Sequence, residues 1–179
     1  LVSRFKIGRG SFDFNVEQGR YFRDAVQDCL ASLAASGVNI WDQNYRPIAG
    51  TNPQKYEVSY CAAFEQKMQP LLESALSSLK GGVYSLIIDT RGYGAIHNQK
   101  YSRPLTGNYE ADLVGNRTRR IWDDVTGQRG AKNTLPLLVQ TYARDTGEIL
   151  SEINMPIMVG GRQWGAVRVG CDSSVLLEG

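Results

Sequence analysis

The last third of the chain has the clearest pattern of hydrophobic and polar positions. Residues 135–170 contain three runs rich in apolar and β-branched residues, separated by the turn sequences Asp145-Thr146-Gly147 and Gly160-Gly161. Small residues that tolerate positive φ angles at such points are typical of tight turns between antiparallel strands. We therefore predict a meander of three antiparallel strands over residues 135–170.

Alternation along these runs assigns side chains to the two faces of the meander. In the last run, Trp164 and Arg168 fall on one face, and Val167 and Val169 fall on the other. Tyr142 in the first run can share the face of Trp164 and Arg168 if the strand register brings the two runs together. A face that mixes aromatic and guanidinium groups either holds a polar ligand or is an ordinary solvated face.

Two helices are predicted in the first eighty residues. The first follows Gly8-Arg9-Gly10, with Ser11 or Asp13 as its N-cap, and its apolar residues recur at helical spacing until Gly37 ends it. The second helix runs from about residue 55 to residue 79. We expect Pro70 to kink or break this helix, because proline lacks the backbone N–H and clashes with the preceding turn.

A second hairpin and a long connection lie between the helices and the meander. Residues 83–89 are a strongly apolar strand, Thr90-Arg91-Gly92 turns the chain, and residues 93–98 return as a second strand. Residues 99–134, here called the crossover, are polar and only partly regular, and a connection of this length is usually functional. A short helix is predicted over residues 116–122, where the arginines would pair with Asp123 on a solvated face or turn inward to bind an anion.

Together these elements predict an α+β domain. Its five-stranded antiparallel sheet consists of the meander and the 83–98 hairpin, with the N-terminal helices and the helical crossover packed on it. The formal net charge of +2 and the lack of a basic block argue against a nucleic-acid partner. With 42% hydrophobic and 21% charged residues, the 179-residue chain has the composition of one soluble globular domain.

The residues that could carry chemistry are few. His97 is the single histidine, and it could be a hydrogen-bonded strand residue, a titrating ligand contact, or a haem or metal ligand. Arg168, in the middle of a strand, requires an anionic partner, which is either a protein carboxylate or a ligand. No nucleophile elbow, phosphate-binding loop or zinc spacing occurs, so we expect no enzyme and no metal site. Cysteines 29, 61 and 171 are expected to be free thiols, with a Cys29–Cys61 disulfide as the alternative.

Several short motifs follow one another in a fixed order from residue 92 to residue 165. They are Gly92-Tyr93, His97-Asn98, Tyr101-Ser102, Pro104, Thr106-Gly107, Asn116-Arg117, Arg120-Ile121, residues 138–147, Gly161-Arg162 and Trp164-Gly165. This series resembles the PAS-like, Cache-type sensor domain of bacterial methyl-accepting chemotaxis proteins. The sequence departs from that family at Gln163, where His-Trp-Gly is commoner, and it lacks the Cys-x-x-Cys-His motif that holds covalent haem in some relatives.

The resemblance implies a PAS-like fold and a sensor that binds a small polar or anionic metabolite and signals to a methyl-accepting coil. It implies no cofactor, a homodimer, and membrane attachment only through the rest of the receptor. Residues 1–10 are similar to the end of such a coil, so we expect residues 11–179 to be one sensor domain, with helices over 13–79 and the sheet and crossover over 83–171. This order, with three free cysteines, favours a cytoplasmic C-terminal sensor, and a periplasmic domain is the alternative.

The candidate ligand pocket lies between the sheet and the crossover. Its candidate residues are His97, Asn98, Tyr101, Arg117, Arg120, Tyr142, Trp164 and Arg168. Two other functions remain open. One is a docking or dimerisation module without a ligand, which an uncovered stripe of Phe22, Val26 and Leu33 would favour. The other is a non-covalent haem or redox sensor using His97.

Overall fold

The computed structural model describes residues 10–176, so the predicted coil end over residues 1–9 lies outside the described part of the chain. The elements, in chain order, are α1 (Ser11–Ala35), β1 (Arg46–Pro47), β2 (Tyr56–Glu57), α2 (Cys61–Ser78), β3 (Gly82–Asp89), β4 (Tyr93–Gly94), a 3-10 turn (Gln99–Tyr101), α3 (Tyr109–Gly115), β5 (Arg120–Ile121), α4 (Val125–Ala131), β6 (Leu138–Ala143), β7 (Ile149–Val159), β8 (Arg162–Asp172) and α5 (Ser173–Leu176).

The central sheet has four antiparallel strands in the order β3–β8–β7–β6. Strands β6, β7 and β8 each pair with the next, which confirms the predicted meander. Gly147, Gly160 and Gly161 form its turns with positive φ angles, a conformation that glycine adopts without a side-chain clash. The α+β class is confirmed as well, since helices pack on an antiparallel sheet.

The prediction of a fifth strand in this sheet is wrong. Of residues 93–98, only Tyr93 and Gly94 are in a strand, and this strand pairs with β5 in a separate two-stranded sheet. A side chain takes the place of a neighbouring strand at the edge of β3. The Asn98 side-chain oxygen accepts the backbone N–H of Ser85 at 2.8 Å, a hydrogen bond that the carbonyl of a fifth strand would otherwise make.

The crossover contains two short helices, neither at the predicted position of 116–122. Asn108 and Asp124 begin α3 and α4, because their side-chain oxygens accept backbone N–H groups of the first turn. Between the two helices, Arg119 has a φ of 56°, which no right-handed helix accommodates. The ammonium group of Lys55 binds this segment from outside, donating to the carbonyl and hydroxyl oxygens of Thr118 at 2.6 and 2.7 Å.

The boundaries of the N-terminal helices differ in part from those predicted. The N-cap of α1 is Gly10, without a side-chain cap, rather than Ser11 or Asp13, whereas Gly37 ends the helix region with a φ of 96°, as predicted. Helix α2 begins at Cys61 instead of residue 55, because residues 56–57 pair with β1. Pro70 lies inside α2, which continues through it, so the prediction of a break is wrong.

The two faces of the sheet are covered by different parts of the chain. Helices α1 and α2 cover one face, here called the helix face, where the apolar stripe of α1 is buried against the sheet. The approach is close at Gly19, where an added Cβ would lie 3.3 Å from Cε of Met155 on β7. The buried stripe includes Phe22, Val26 and Leu33. These three residues are therefore not the uncovered stripe that would have favoured a docking module.

The crossover covers the opposite face, here called the crossover face. Its apolar contacts are formed by Tyr84, Leu86 and Ala166 of the sheet with Tyr101 and Trp122 of the crossover. Among residues 10–176, no helix is both long and apolar enough to cross a membrane. All three cysteines are free thiols, as predicted, and burial raises the pKa of the Cys171 thiol to about 12.

Candidate functional site

A cavity of about 360 Å³ lies between the crossover face and the crossover. Tyr84, Tyr142 and Arg168 form its floor on strands β3, β6 and β8, and Arg117 and Arg120 of the crossover lie over them. This is the location predicted for the ligand pocket. A cavity of this size, with aromatic walls and a few charged groups, has the properties of a small-molecule site.

The floor contains an ion pair buried within the sheet. Nε of Arg168 donates to Oε1 of Glu152, and both side chains are almost inaccessible to solvent. The Tyr84 hydroxyl also donates to Oε1 of Glu152 at 3.0 Å, and Gln140 donates to Oε2 at 3.1 Å. Burial, the largest single effect, would lower the pKa of Arg168, but the Glu152 charge and hydrogen bond together with the hydroxyls of Tyr84 and Tyr142 outweigh it and raise that pKa. The anionic partner of Arg168 is therefore a protein carboxylate, which is one of the two alternatives predicted from the sequence.

Trp164 does not lie in the cavity. Gly165 pairs with Ile157 and Gln163 pairs with Met158, so Trp164 is an extra, bulged residue on β8. The bulge reverses the alternation at this point and turns the indole to the helix face, where its Nε1 donates to the carbonyl of Ile40 at 2.7 Å. The prediction that Trp164 shares a face with Arg168 is wrong.

Two guanidinium groups form the upper wall of the cavity. Those of Arg117 and Arg120 stack on the Trp122 ring, at 4.8 and 4.2 Å from its centroid. The pairing of Arg120 with Asp123, one of the two alternatives, is not formed; Arg117 and Arg120 both contact the carboxylate of Asp145, at 3.0 and 3.4 Å. Among residues 10–176, the buried Nε of Arg117 and Nη1 of Arg120 have no hydrogen-bond partner. Burial lowers the pKa of both guanidinium groups and Asp145 opposes that shift, but an arginine remains charged at any ordinary pH.

Arg119, between these two arginines in the crossover, does not line the cavity. Its guanidinium group contacts Glu65 at 2.6 Å and Glu57 at 3.5 Å on the outer side of the crossover. The three neighbouring arginines thus divide: two face the cavity and one fixes the crossover to α2 and β2. Arg119, the residue that faces outward, is also the one with a positive φ angle.

The turn between β6 and β7 contributes two further residues that were not predicted. The guanidinium group of Arg144 lies over the rings of Tyr84 and Tyr101 and pairs with Glu148 at 2.9 Å. Asp145 lines the cavity beside it. Arg144 lies two residues after Tyr142, so strand alternation places both on the same face, and Arg144 could have been predicted as a site residue on that basis. In the sequence, Asp145 is only part of a turn motif, and nothing else there indicates its role.

His97 lines the cavity but does not titrate near neutral pH. Its ring is buried, and burial together with the charges of Arg117 and Arg144 lowers its pKa well below the ordinary value. Its Nδ1 accepts the backbone N–H of Asn98 at 2.8 Å, so the proton of the neutral ring is on Nε2. The ring is therefore neutral in the unliganded domain, and a role for His97 as a ligand contact stays a prediction.

The other two predicted residues support the site from behind. Asn98 is buried at the edge of β3, and Tyr101 packs against the His97 ring while its hydroxyl donates to the carbonyl of Val83 at 2.8 Å. The predicted residues that line the cavity are His97, Arg117, Arg120, Tyr142 and Arg168. Their role in binding a ligand stays a prediction. Within residues 10–176, no group of three or more His, Cys, Asp or Glu side chains could hold a metal ion.

Comparison with known proteins gives similarities of fold only. No protein-family model and no curated protein matches the chain. Among solved structures, the ligand-binding domain of the Campylobacter jejuni chemoreceptor Tlp3, in complex with 4-methylisoleucine, is 11% identical with a TM-score of 0.47, over 93% of this chain and 62% of that one. An extracellular ligand binding receptor from Desulfohalobium retbaense is 12% identical with a TM-score of 0.44, over 92% of this chain and 25% of that one.

A third similar structure is the ligand-binding domain of the Pseudomonas aeruginosa amino acid chemoreceptor PctB in complex with L-Gln. It is 18% identical with a TM-score of 0.35, over 89% of this chain and 55% of that one. The chain thus spans less than two thirds of each of these proteins. These structures are ligand-binding and sensor domains, the class that the sequence motifs resemble. The side of the membrane on which the domain lies stays a prediction.

Proposed function

We propose that this chain is the sensor domain of a bacterial chemoreceptor and binds a small anionic metabolite in the cavity between the sheet and the crossover. One observation carries the proposal: Arg117 and Arg120 stack on Trp122 beside the cavity with buried N–H groups that have no acceptor. Buried polar groups nearly always have a partner. A ligand with acceptor oxygens would provide one.

The charges around the cavity favour an anion. Arg168 is matched by the fully buried Glu152, so the floor is already neutral as a pair. In the upper wall, Arg117 and Arg120 share the carboxylate of Asp145 as their ion-pair partner, while Asp123 and Asp124 line the cavity without an ion pair to either arginine among residues 10–176. A planar guanidinium group binds a carboxylate through two parallel hydrogen bonds, which gives both charge and shape selectivity. We therefore infer a ligand with at least one carboxylate, small enough for about 360 Å³.

The site provides groups for binding rather than for catalysis. The sole histidine is held neutral, and its Nδ1 is already bonded to the Asn98 amide. Signalling through a methyl-accepting coil, and a homodimeric receptor, follow from the sequence resemblance and are part of the proposal. The ligands named for the similar structures, 4-methylisoleucine and L-Gln, each contain a carboxylate and belong in the first panel of compounds to be tested.

The test begins with the purified protein. Small molecules that co-purify are released by denaturation and identified by mass spectrometry, and the affinity of the parent for each is measured by calorimetry. Arg120→Ala should then weaken binding by about 30-fold or more, equivalent to roughly 2–5 kcal/mol for a buried charge pair. Arg162→Ala is the matched control, because Arg162 also stacks on an indole, that of Trp41 at 4.1 Å, but lies outside the cavity.

The outcome that contradicts the proposal is equally specific. If folded Arg117→Ala and Arg120→Ala proteins, checked by circular dichroism, bind as tightly as the parent and Arg162→Ala, the upper wall does not bind the ligand. A compound that binds without loss in either variant would occupy another part of the molecule.

The side of the membrane can be tested through Cys29, the partly exposed cysteine. A thiol reagent that cannot cross membranes, applied to intact cells expressing the full receptor, labels Cys29 only in a periplasmic domain. Labelling that requires cell lysis supports the cytoplasmic position that the free thiols favour.

A further inference from the structure

We propose that Asp145 is an internal ligand: its carboxylate occupies the anion site of the unliganded domain, and the carboxylate of the metabolite binds by displacing it. This inference rests on the proposed function and adds how the site is kept closed and which residue sets its affinity. It also predicts that the turn between β6 and β7 moves when the ligand binds.

The contacts of Asp145 are those of a replaceable partner. One of its oxygens lies 3.0 Å from Nη2 of Arg117, and the other lies 3.4 Å from Nη2 of Arg120. It therefore contacts one nitrogen of each guanidinium group, and Nε of Arg117 and Nη1 of Arg120 remain without acceptors. A free carboxylate is not restricted by a tether and can reach two nitrogens of one guanidinium group in the parallel arrangement.

The position of Asp145 in the chain makes displacement inexpensive. Pairing of β6 with β7 ends at Ala143 and Ile149, so Asp145 lies beyond the strand hydrogen bonds. The turn itself is closed by the N–H of Arg144 bonded to Glu148 at 2.7 Å and by the N–H of Gly147 bonded to Arg144 at 2.9 Å. The Asp145 side chain is about a third exposed, so water is available to solvate the carboxylate once it leaves.

The effect on affinity follows from competition. A carboxylate on a short tether acts at an effective concentration on the order of millimolar at the site it can reach. A free carboxylate has to compete with this concentration, so its apparent affinity is lower than its intrinsic affinity. Removing the Asp145 charge should therefore strengthen binding of a carboxylate, whereas removing most other charges in a binding site weakens it.

A different role for Asp145 predicts the opposite sign. If Asp145 contacts a positively charged group of the bound ligand, its removal loses a favourable interaction and weakens binding. The direction of the change in affinity thus distinguishes an internal competitor from a ligand contact.

The experiment uses succinate as a defined probe, with acetate and inorganic phosphate beside it, titrated by calorimetry into the parent, Asp145→Asn and Glu65→Gln. Asn is close in size to Asp and removes the charge. Glu65→Gln is the matched control, since Glu65 also pairs with a crossover arginine, Arg119, but lies outside the cavity. We expect Asp145→Asn to bind succinate at least about tenfold more tightly than the parent, equivalent to about 1.4 kcal/mol, and Glu65→Gln to stay within about twofold.

Equal or weaker succinate binding by Asp145→Asn overturns the internal ligand. If Arg120→Ala still abolishes binding in that case, the proposed function stands and only the role of Asp145 is wrong. If no anion binds to any of the proteins, the anion site and the proposed function both fail. Circular dichroism confirms folding, and Asp145→Ser, which also removes the charge from this exposed turn, is the second variant with the same expected result.

Discussion

The buried pair of Glu152 and Arg168 should respond unequally to the loss of either partner. When Arg168 is replaced by Met, the Glu152 carboxylate keeps the hydrogen bonds from Tyr84 and Gln140, at 3.0 and 3.1 Å. When Glu152 is replaced by Gln, the Arg168 guanidinium group keeps its charge, because arginine does not lose its proton in proteins. We therefore expect Glu152→Gln to destabilise the domain more than Arg168→Met.

The magnitude follows from the burial of both groups. Glu152 is inaccessible to solvent and the Arg168 side chain is 4% exposed, so an unpaired charge cannot be screened by water. Removing one partner of such a pair costs roughly 3–5 kcal/mol, and Glu152→Gln should lie in this range. Arg168→Met should cost less, about 1–3 kcal/mol, because the carboxylate retains two donors.

The assay is urea unfolding at pH 7 followed by circular dichroism. The pair of the buried Arg144 and the exposed Glu148 provides the control, and Glu148→Gln should cost less than Glu152→Gln, because water can reach this pair from the Glu148 side. The reasoning is refuted if Arg168→Met costs as much as Glu152→Gln.

Two further predictions concern residues outside the cavity. Trp164→Phe leaves the Ile40 carbonyl without its donor and should lower the free energy of unfolding by about 1–3 kcal/mol. Ligand affinity measured by calorimetry should stay unchanged. A loss of affinity without a loss of stability would mean that Trp164 is part of the binding site. For Lys55, burial lowers the folded-state pKa to about 8 from an ordinary value of 10.5. Between these values the folded protein has released a proton that the unfolded chain retains, so the stability of the parent relative to Lys55→Met should rise with pH, by up to roughly 3 kcal/mol. A difference in unfolding free energy that is flat from pH 7 to pH 10.5 would contradict this.

The sheet was predictable because its signals are local. The turns at Gly147 and Gly160-Gly161 depend on a few adjacent residues that tolerate positive φ angles. Alternation then places Tyr142 and Arg168 on the same face, and the structure has both in the cavity floor. Each of these inferences uses only the residues of one turn or the alternation along one strand.

The errors arise where distant contacts decide the local structure. Trp164 faces the helices because the indole fills the space beside Ile40 and α2, and a bulge on β8 accommodates it; no alternation pattern contains this information. Residues 93–98 leave the sheet because the Asn98 side chain substitutes for a strand. Asp145 was missed for a related reason, since its arginine partners lie about 25 residues away in the sequence.

One strand separates the cavity from the longest helix. Glu152 of β7 lies in the cavity floor, and its neighbours Ile153 and Met155 contact α1 at Gly19 through the opposite face of the sheet. Gly19 is about 12 Å from the first residue of α1 and about 24 Å from the last, since a helix rises about 1.5 Å per residue. Further along the helix, the N–H of Met158 on β7 donates to Oε1 of Gln27 at 2.9 Å. A shift of β7 should therefore carry the segment of α1 from Gly19 to Gln27 with it.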